Sequence, residues 1–296
     1  MNQTIKTLYQ LSDNSFDSNH LNDYNLSILL SGDGFSYVVG QGQPLRIIEL
    51  GSFEFIIPHN ESRILKDEQI LNLFSVFVMN HPWLSKPMGR SNVWIENRYA
   101  TLVPEALYDK NSLNDYLSFN TQIPQNYIQK SDYLPSMDAW NVFALSNEWE
   151  KQISLLFPSA SIHHASSSFI ELIIAQSRIY SSPELVFIYP HRFYFELAYL
   201  VQSKLIFYNS FSYSTQEDFI YFVLFSLEQL SLNPEIISIC LMGEIDAGSP
   251  LHLILTNYLR NVNFASRDNN VVYTYVFDQI PSHYFLTIIH TLQCEL

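Results

Sequence analysis

The sequence predicts an α/β protein in which a mixed sheet with the element order βββαβα occurs twice. The second occurrence is the clearer one, because three apolar runs lie only a few residues apart, at 185–189, 193–201 and 204–210. This spacing is typical of an antiparallel meander. A helical segment, an unbroken apolar run and another helix start follow at 215–230, 236–242 and 249–250. Strands and helices in this order indicate a mixed sheet covered by helices.

The first occurrence begins at residue 25. Three strands are predicted from apolar runs at 25–31, 35–39 and 45–57. The sequence Ser31-Gly32-Asp33-Gly34 predicts a tight turn between the first two strands, because an Asp-Gly pair supplies the positive φ angles that a two-residue hairpin favours. Apolar residues at helical spacing then predict an amphipathic helix over 70–78.

The remainder of the first occurrence is less regular. We predict, in order, a strand or strand pair at 92–96 and 99–103, a helix from Pro104, a strand at 140–145, a helix capped by Asn147 with Glu150, a short strand at 161–165 and a helix at 169–174. Residues 120–137 carry two prolines and many polar side chains, which is typical of a connecting excursion. In the second occurrence, Ser214 and Glu217 predict a capping box before a helix that is apolar nearly all round.

These elements predict two lobes and two flanking segments. We assign residues 1–22 to a polar, loosely ordered lead-in, because they are rich in Asn, Ser and Asp. The first lobe covers 23–180 and includes the inserted excursion. The second lobe covers 181–270 and starts at the turn-forming sequence Ser-Ser-Pro. The C-terminal segment 271–296 is predicted to pack back on the first lobe.

Composition and charge exclude several classes of function. The net charge is −14, with 15 Lys and Arg against 29 Asp and Glu, so the chain repels nucleic acid and we predict no nucleic-acid partner. No apolar run reaches the roughly 18–20 residues of a membrane span, and residues 1–24 lack a signal-peptide core. We therefore predict a cytoplasmic protein without a transmembrane segment. Cys240 and Cys294 are predicted to be buried thiols rather than a disulfide or a metal pair.

The duplicated α/β pattern resembles the actin-like ATPases, which share the broader ribonuclease-H-like fold. The chain is similar to a bacterial family of unknown function with that fold, and it resembles the pilus assembly protein PilM and the cytoplasmic part of type II secretion protein L. The resemblance rests on Leu-Ser-Ile at 26–28, Gly-Phe-Ser-Tyr at 34–37, Leu-Val-Pro at 102–104 and Leu-Gln-Cys-Glu at 292–295. It covers nearly the whole chain and implies two lobes around a nucleotide cleft.

The resemblance also implies three nucleotide-binding elements, and the sequence departs from the family pattern at the first two. Actin-like ATPases place an Asp and a Gly at the first hairpin turn, where Leu30 and Gly32 stand in this chain, with Asp33 nearby. The second hairpin of the family carries Asp-x-Gly, whereas this chain has Tyr-Pro-His at 189–191. A proline and bulky side chains leave no glycine through which backbone amides approach a phosphate.

The third element implied by the family is a Gly-Gly loop that accepts adenosine, and it corresponds to residues 241–246. Gly243 is the one glycine of the pair that remains. Glu244 and Asp246 add negative charge where a polyphosphate would lie, which is unfavourable without an intervening cation. The candidate nucleotide-binding residues, if a nucleotide binds at all, are therefore Gly32, Asp33, Gly34, Gly243 and Glu244. We predict no catalytic residue and no metal ligand.

Three functional hypotheses follow. The preferred one is a degenerate, non-catalytic binding or scaffold module that needs no cofactor and binds a protein partner, with a homodimer left open. The alternative is a divergent ATPase or kinase that binds ATP and Mg²⁺ in the inter-lobe cleft through Asp33, Glu244 or Asp246. The third is a ribonuclease-H-like nuclease, which two-metal chemistry disfavours because the strand at 26–30 carries no carboxylate.

Isolated polar and aromatic residues leave further alternatives. His163 and His164 are adjacent, so in a strand they point to opposite faces and do not share a metal easily. Glu171 and Glu196 lie within apolar runs, and we expect each on the solvent-facing side of its element rather than in a catalytic site. The aromatic-rich segment 189–221 fits either a partner-binding surface or a buried face.

Overall fold

The computed structural model describes residues 4–56 and 65–294. It divides into two compact units, the first formed by Met1–Phe169, Asn270–Gln279 and Ile288–Leu296, and the second by Ile170–Asn269 and Ile280–Thr287. The C-terminal segment 271–296, predicted to pack back on the first lobe, is divided between the two units. Within the described residues, no helix combines the length and the apolar character needed to cross a bilayer.

Along the chain, the strands and helices are β1 (Thr4–Ser12), β2 (Asn25–Leu30), β3 (Gly34–Gln41), β4 (Arg46–Ile56), α1 (Asp67–Asn80), β5 (Arg90–Ile95), β6 (Ala100–Pro104), α2 (Leu113–Ser118), β7 (Tyr127–Leu134), β8 (Ala139–Ser146), α3 (Asn147–Leu156), β9 (Ser161–His164), α4 (Ala165–Ser177), β10 (Glu184–Pro190), β11 (Tyr194–Val201), β12 (Lys204–Ser212), α5 (Gln216–Gln229), β13 (Ser238–Leu241), α6 (Pro250–Tyr258), β14 (Asn261–Phe264), β15 (Val272–Tyr273) and α7 (Leu286–His290). Single turns of 3-10 helix lie at Leu21–Asp23, Glu105–Leu107, Lys110–Ser112 and Tyr275–Gln279.

Both units contain the same five-stranded core. In the first unit the order is β4-β3-β2-β5-β9, and in the second it is β12-β11-β10-β13-β14. The three consecutive strands of each core are antiparallel, whereas the fourth and fifth are parallel to the first. The prediction of a duplicated mixed sheet in an α/β protein is therefore confirmed.

The duplication extends to an irregularity in the outer strand of each core. The register between β3 and β4 shifts so that Ile48 is an extra residue, and the register between β11 and β12 shifts so that Ile206 is an extra residue. Each is the third residue of its strand. A β-bulge of this kind bends the strand and increases its twist, so the two units also share the local shape of their outer strands.

The structure differs from the sequence prediction at the N-terminus. Residues 1–22 were expected to be loosely ordered, but β1 pairs with β4 along most of its length. Ile5 packs against the core of the first unit, and Leu11 is buried. The polar residues of β1 hide this strand from a composition argument, while its backbone completes the hydrogen bonds of β4.

The inserted excursion is also more ordered than expected. Residues 120–137 contain β7, which pairs with β8. Because β8 also pairs with β6, these three strands form a separate sheet. The helix predicted from Pro104 is replaced by two 3-10 turns and the short α2. Leu117 of α2 is fully buried in a small core with Val142 of β8, so the excursion has a hydrophobic core of its own.

The caps predicted for α3, α5 and α6 agree with the structure to within one residue. The N-cap of α3 is Ser146, whose hydroxyl accepts the Trp149 N–H, and not Asn147. The capping box of α5 is formed by Thr215 and Asp218, one residue after the predicted pair. Ser249 caps α6 as predicted. Side-chain oxygens at these positions bind backbone N–H groups that otherwise lack a partner at a helix start.

Candidate functional site

The first candidate element is the turn Ser31–Gly34 between β2 and β3, which is closed by its own polar groups. The Ser31 N–H donates to the Gly34 carbonyl at 3.0 Å. The Ser31 hydroxyl donates to Asp33 Oδ1 at 2.6 Å and accepts the Gly34 N–H at 3.1 Å. The turn thus uses for itself both the carboxylate and one of the amides that nucleotide binding would need.

Packing of the two strands explains one of the two glycines of this turn, Gly34. A Cβ atom at Gly34 would lie 2.2 Å from the Phe53 carbonyl oxygen, so only glycine allows β3 to pair closely with β4 here. A Cβ atom at Gly32 would meet no atom within 4 Å. The prediction of positive φ angles at Asp33 and Gly34 is wrong. Neither residue is among the described residues with positive φ, and the glycines in that group are Gly42, Gly243 and Gly248.

The second candidate element is the turn His191–Tyr194, which corresponds residue by residue to Ser31–Gly34. In both turns the N–H of the first residue donates to the carbonyl of the fourth, at 2.8 Å in the second turn. Strand β10 extends to Pro190, one residue beyond the prediction. The second turn contains His, Arg, Phe and Tyr and no glycine, and the His191 ring stacks on the Tyr194 ring at 4.3 Å.

A buried carboxylate holds the second turn in place. His191 Nε2 lies 3.0 Å from Glu196 Oε2, and the Tyr208 hydroxyl donates to the other oxygen of Glu196. The Tyr213 hydroxyl donates to the His191 carbonyl. Glu196 is only 4% exposed, so the expectation of a solvent-facing carboxylate is wrong for this residue.

The third candidate element is the loop after β13, where Gly243 has φ of +90°. A Cβ atom at Gly243 would lie 2.7 Å from the ring of Tyr189, and Tyr189 is itself buried. The Gly243 N–H donates to the His283 carbonyl at 3.2 Å. The glycine therefore accommodates a tyrosine ring of the same unit. Glu244, the next residue, is exposed.

The segment Ile280–Thr287 fixes the same loop from the other side. His283 Nε2 donates to the Ile245 carbonyl at 2.8 Å, and the Tyr284 hydroxyl donates to Asp246 Oδ1 at 2.7 Å. Burial lowers the pKa of His283, which favours the neutral ring. The ring also stacks on Phe264 at 4.0 Å. Asp246 is thus engaged by a tyrosine hydroxyl.

The sequence-predicted residues lie in two places, one in each unit. Gly32, Asp33 and Gly34 share the first turn, and Gly243 and Glu244 share the loop after β13. Within residues 4–56 and 65–294, no group of three or more His, Cys, Asp or Glu side chains is arranged to hold a metal ion. Asp33 accepts a hydrogen bond from Ser31, and Asp246 accepts one from Tyr284.

Sequence reasoning missed a buried polar cluster in the first unit. Asp132 of β7 accepts hydrogen bonds from the His164 N–H at 2.9 Å and the Ser167 hydroxyl at 2.6 Å, and it lies 2.8 Å from His163 Nδ1. The His163 and His164 rings contact different aromatic neighbours, Trp94 and Phe143, which agrees with their predicted opposite orientation. No sequence signal pointed to Asp132, since its partners lie at least 31 residues away.

Two solved structures are similar to this chain over most of its length. A Bacteroides thetaiotaomicron protein with an actin-like ATPase fold and unknown function is 21% identical, with a TM-score of 0.77, covering 95% of this chain and 99% of that chain. The PilM–PilN type IV pilus biogenesis complex is 14% identical, with a TM-score of 0.55, covering 90% of this chain and 96% of that chain. These matches confirm the actin-like ATPase fold and the predicted resemblance to PilM.

A comparison with protein families gives one match. The model of a family described as "Protein of unknown function (DUF3822)" matches residues 13–262, which is most of the chain. No curated protein matches this chain. The family and the solved structures establish the fold, and the chemistry of the candidate elements rests on the geometry described above.

Proposed function

We propose that this chain, which belongs to the DUF3822 family, is a non-catalytic module of the actin-like fold that binds a protein partner. The observation that carries the proposal is the packing of the Tyr189 ring on Gly243. A loop that accepts a nucleotide needs its glycine surface open, so that the ligand approaches the backbone closely. Here a buried aromatic side chain of the same unit already occupies that surface.

The second turn supports the same conclusion. Phosphate-binding turns present several backbone N–H groups to the anion, but the His191 N–H is bonded to the Tyr194 carbonyl. The carboxylate nearest to this turn is Glu196, and it is engaged by His191 and Tyr208. An acidic side chain committed to a histidine and a tyrosine is not placed to organise Mg²⁺ through water.

The surface that we propose for the partner is the outer edge of β12. In the first unit, the outer side of β4 is covered by β1 and by β15. Among the described strands, none pairs with the corresponding side of β12. An exposed strand edge is a template for pairing with another chain, and strand addition is a common mode of peptide recognition.

Hydrogen-bond alternation identifies an edge residue that a partner strand would meet. The Tyr213 N–H donates to the Phe193 carbonyl, so in a regular antiparallel ladder the N–H groups of 209 and 211 also point to β11. Ser210 then directs its N–H and carbonyl outward, where the N–H donates to Asn209 Oδ1 at 2.8 Å, an acceptor that a partner strand would replace. In the first unit the corresponding residue, Ser52, pairs with Tyr9 of β1.

Aromatic side chains lie beside this edge. Phe211 of β12 stacks on Phe222 of α5 at 5.3 Å, and Tyr221 stacks on Phe225 at 6.1 Å. Tyr221 and Phe225 are both exposed. Apolar side chains of an added strand would therefore find apolar contacts on the α5 side of the sheet.

The proposed partner segment is an extended strand that is neutral or basic and has apolar side chains at alternate positions. Strand β1 shows what the same edge accepts in the first unit, since its residues 4–12 carry one Lys and no acidic residue. The net charge of −14 favours a partner of opposite sign. A second copy is disfavoured, because a symmetric edge-to-edge pair would place two acidic α5 helices on the same side of the sheet.

Calorimetry with ATP and ADP, each with Mg²⁺, tests the loss of nucleotide chemistry. We expect no heat of binding and no turnover. Micromolar affinity accompanied by hydrolysis would overturn the proposal and favour the divergent ATPase instead. The mutant Tyr189→Ala serves as a matched probe, because it opens the surface of Gly243 without changing any charged group.

A proline substitution tests the binding edge. Ser210→Pro removes the outward N–H, and we expect it to lose the proteins that the wild-type chain captures from the native cell extract, with little change in melting temperature. Ser210→Ala keeps the N–H and should capture the same proteins. Equal capture by the proline variant would show that β12 is not the binding edge.

A further inference from the structure

A polar cavity of about 210 Å³ lies in the first unit at the amino-terminal ends of β5 and β9. Arg90, Asn92, Ser161 and His163 line it. Asn92 pairs with Ser161 in the parallel register of β5 and β9, and residues two apart share a face, so these four side chains lie on the same face of the sheet. The cavity is at the opposite end of these strands from the turn Ser31–Gly34, since Leu30 pairs with Ile95.

Arg90 is the fixed cation of this cavity. Its Nη2 donates to the Leu292 carbonyl at 2.6 Å, which uses one of the five N–H groups of the guanidinium. That bond holds the planar group in one orientation at the cavity wall. Arginine presents its N–H groups in a fork that matches the oxygens of a phosphate or a carboxylate.

His163 supplies a second polar group with a defined orientation. Its Nδ1 lies 2.8 Å from Asp132 Oδ1, and the ring lies 4.8 Å from that of Trp94. Asp132 is 4% exposed and is also bound by Ser167 and by the backbone of His164. A carboxylate at Nδ1 fixes the orientation of the ring. Nε2 of His163 is therefore the ring nitrogen that can contact a ligand.

The rest of the described wall is formed by serine hydroxyls, Met88, Gly89 and the thiol of Cys294. Ser91, Ser159 and Ser161 line the cavity, and the described lining residues include no Asp or Glu. A cation would be repelled by Arg90, and an apolar ligand would leave the hydroxyl and guanidinium groups without partners.

We propose that this cavity binds a phosphoryl group. Arg90 and Asn92 of β5, Ser161 of β9 and Ser159 before β9 supply guanidinium, amide and hydroxyl donors, and such donors match the oxygens of a phosphate. The volume is below the roughly 300–1,000 Å³ of sites for drug-sized ligands, so the buried part of the ligand is the phosphate itself. Inorganic phosphate and the phosphate of a larger ester share this chemistry.

Titration with inorganic phosphate, O-phosphoserine and acetate, followed by calorimetry and thermal denaturation, tests the site. We expect phosphate to bind and to raise the melting temperature, and acetate to have no effect. Tighter binding of O-phosphoserine than of phosphate would identify an ester as the natural ligand, and binding of phosphate alone would identify the free ion. Absence of phosphate binding at millimolar concentration would overturn the proposal.

Variants assign the binding to this cavity. Ser161→Asp adds a negative charge at an exposed wall position and should weaken phosphate binding at least about tenfold, whereas Ser161→Ala should weaken it only slightly. Arg90→Gln and His163→Gln should each lower the affinity by a similar factor. Arg260→Gln is the matched control, since Arg260 is exposed in the second unit. Equal affinity in Ser161→Asp and the wild type would show that the ion binds elsewhere.

Discussion

The two units share a strand order but differ at the outer edge of that order. In the first unit, β1 and β15 cover the outer strand β4 on either side of its bulge. In the second unit, no described strand covers β12, although its bulge lies at the same position. The bulge residue is fully buried in the first unit, where it is Ile48, and 57% exposed in the second, where it is Ile206. The same position in the outer strand is thus part of the core in the first unit and part of the surface in the second.

The hairpin turns show a similar contrast. The first turn is built from small residues whose polar groups satisfy one another, whereas the second uses a histidine, a buried glutamate and tyrosine hydroxyls. Neither arrangement leaves its described groups arranged for a phosphate.

Substitution of the two turn glycines gives the largest expected effect. Gly34→Ala would place a Cβ atom 2.2 Å from a backbone oxygen, and we expect a loss of about 3 kcal/mol or more in the free energy of unfolding. Gly32→Ala meets no atom within 4 Å, so its effect should be within about 0.5 kcal/mol. Urea denaturation of both variants measures the difference. Equal losses would mean that the turn, and not the pairing of β3 with β4, requires glycine.

The bulge residues test whether the two edges differ as described. Ile48→Ala removes a buried side chain, and we expect it to cost about 2–4 kcal/mol. Ile206→Ala removes a side chain that is mostly exposed, so the cost should be below about 1 kcal/mol. Urea denaturation of the two variants measures both costs. A large destabilisation by the second substitution would show that β12 is covered in solution, for example by a second copy.

The sequence predicts the strand cores well because each core strand is an apolar run between turn-forming residues. It fails at β1, where exposed polar residues alternate with the few apolar ones, so that composition indicates a disordered segment. It also fails at β7, whose side chains are mostly half-buried and polar. Both strands owe their order to pairing with a neighbouring strand, which local patterns do not record.

The sequence predicts some features of the candidate sites and misses others. The missing Asp-x-Gly at the second hairpin was visible in the sequence, and so was the single Gly243. The packing of Tyr189 on Gly243 was not, because it depends on the approach of a strand and a loop that are distant in sequence. The pair of Asp132 and His163 was also not visible, because the two residues are distant in sequence. In addition, a polar residue in a predicted excursion carries no sign of burial.

A buried carboxyl group sharpens the comparison of the two edges. Glu49 follows the bulge in β4, where the second unit has Phe207 after its bulge. Glu49 is buried, and the Tyr37 hydroxyl donates to its Oε1 at 2.8 Å. Burial raises the pKa of Glu49 above its ordinary value of 4.5, even though the hydrogen bond from Tyr37 acts in the opposite direction.

The pH dependence of stability gives the smallest of the expected effects. Because the unfolded chain releases the Glu49 proton at a lower pH than the folded chain, this group costs stability as the pH rises from 4.5 through its raised pKa. Glu49→Gln removes that cost, so the variant should gain on the order of 1 kcal/mol over the wild type at pH 8, and this gain should vanish below pH 4.5. Glu235→Gln, at an exposed position, should show no such trend. A constant difference between Glu49→Gln and the wild type at all pH values, measured by urea denaturation, would contradict the raised pKa of Glu49, because it would show that this carboxyl group binds its proton equally well in the folded and unfolded chain.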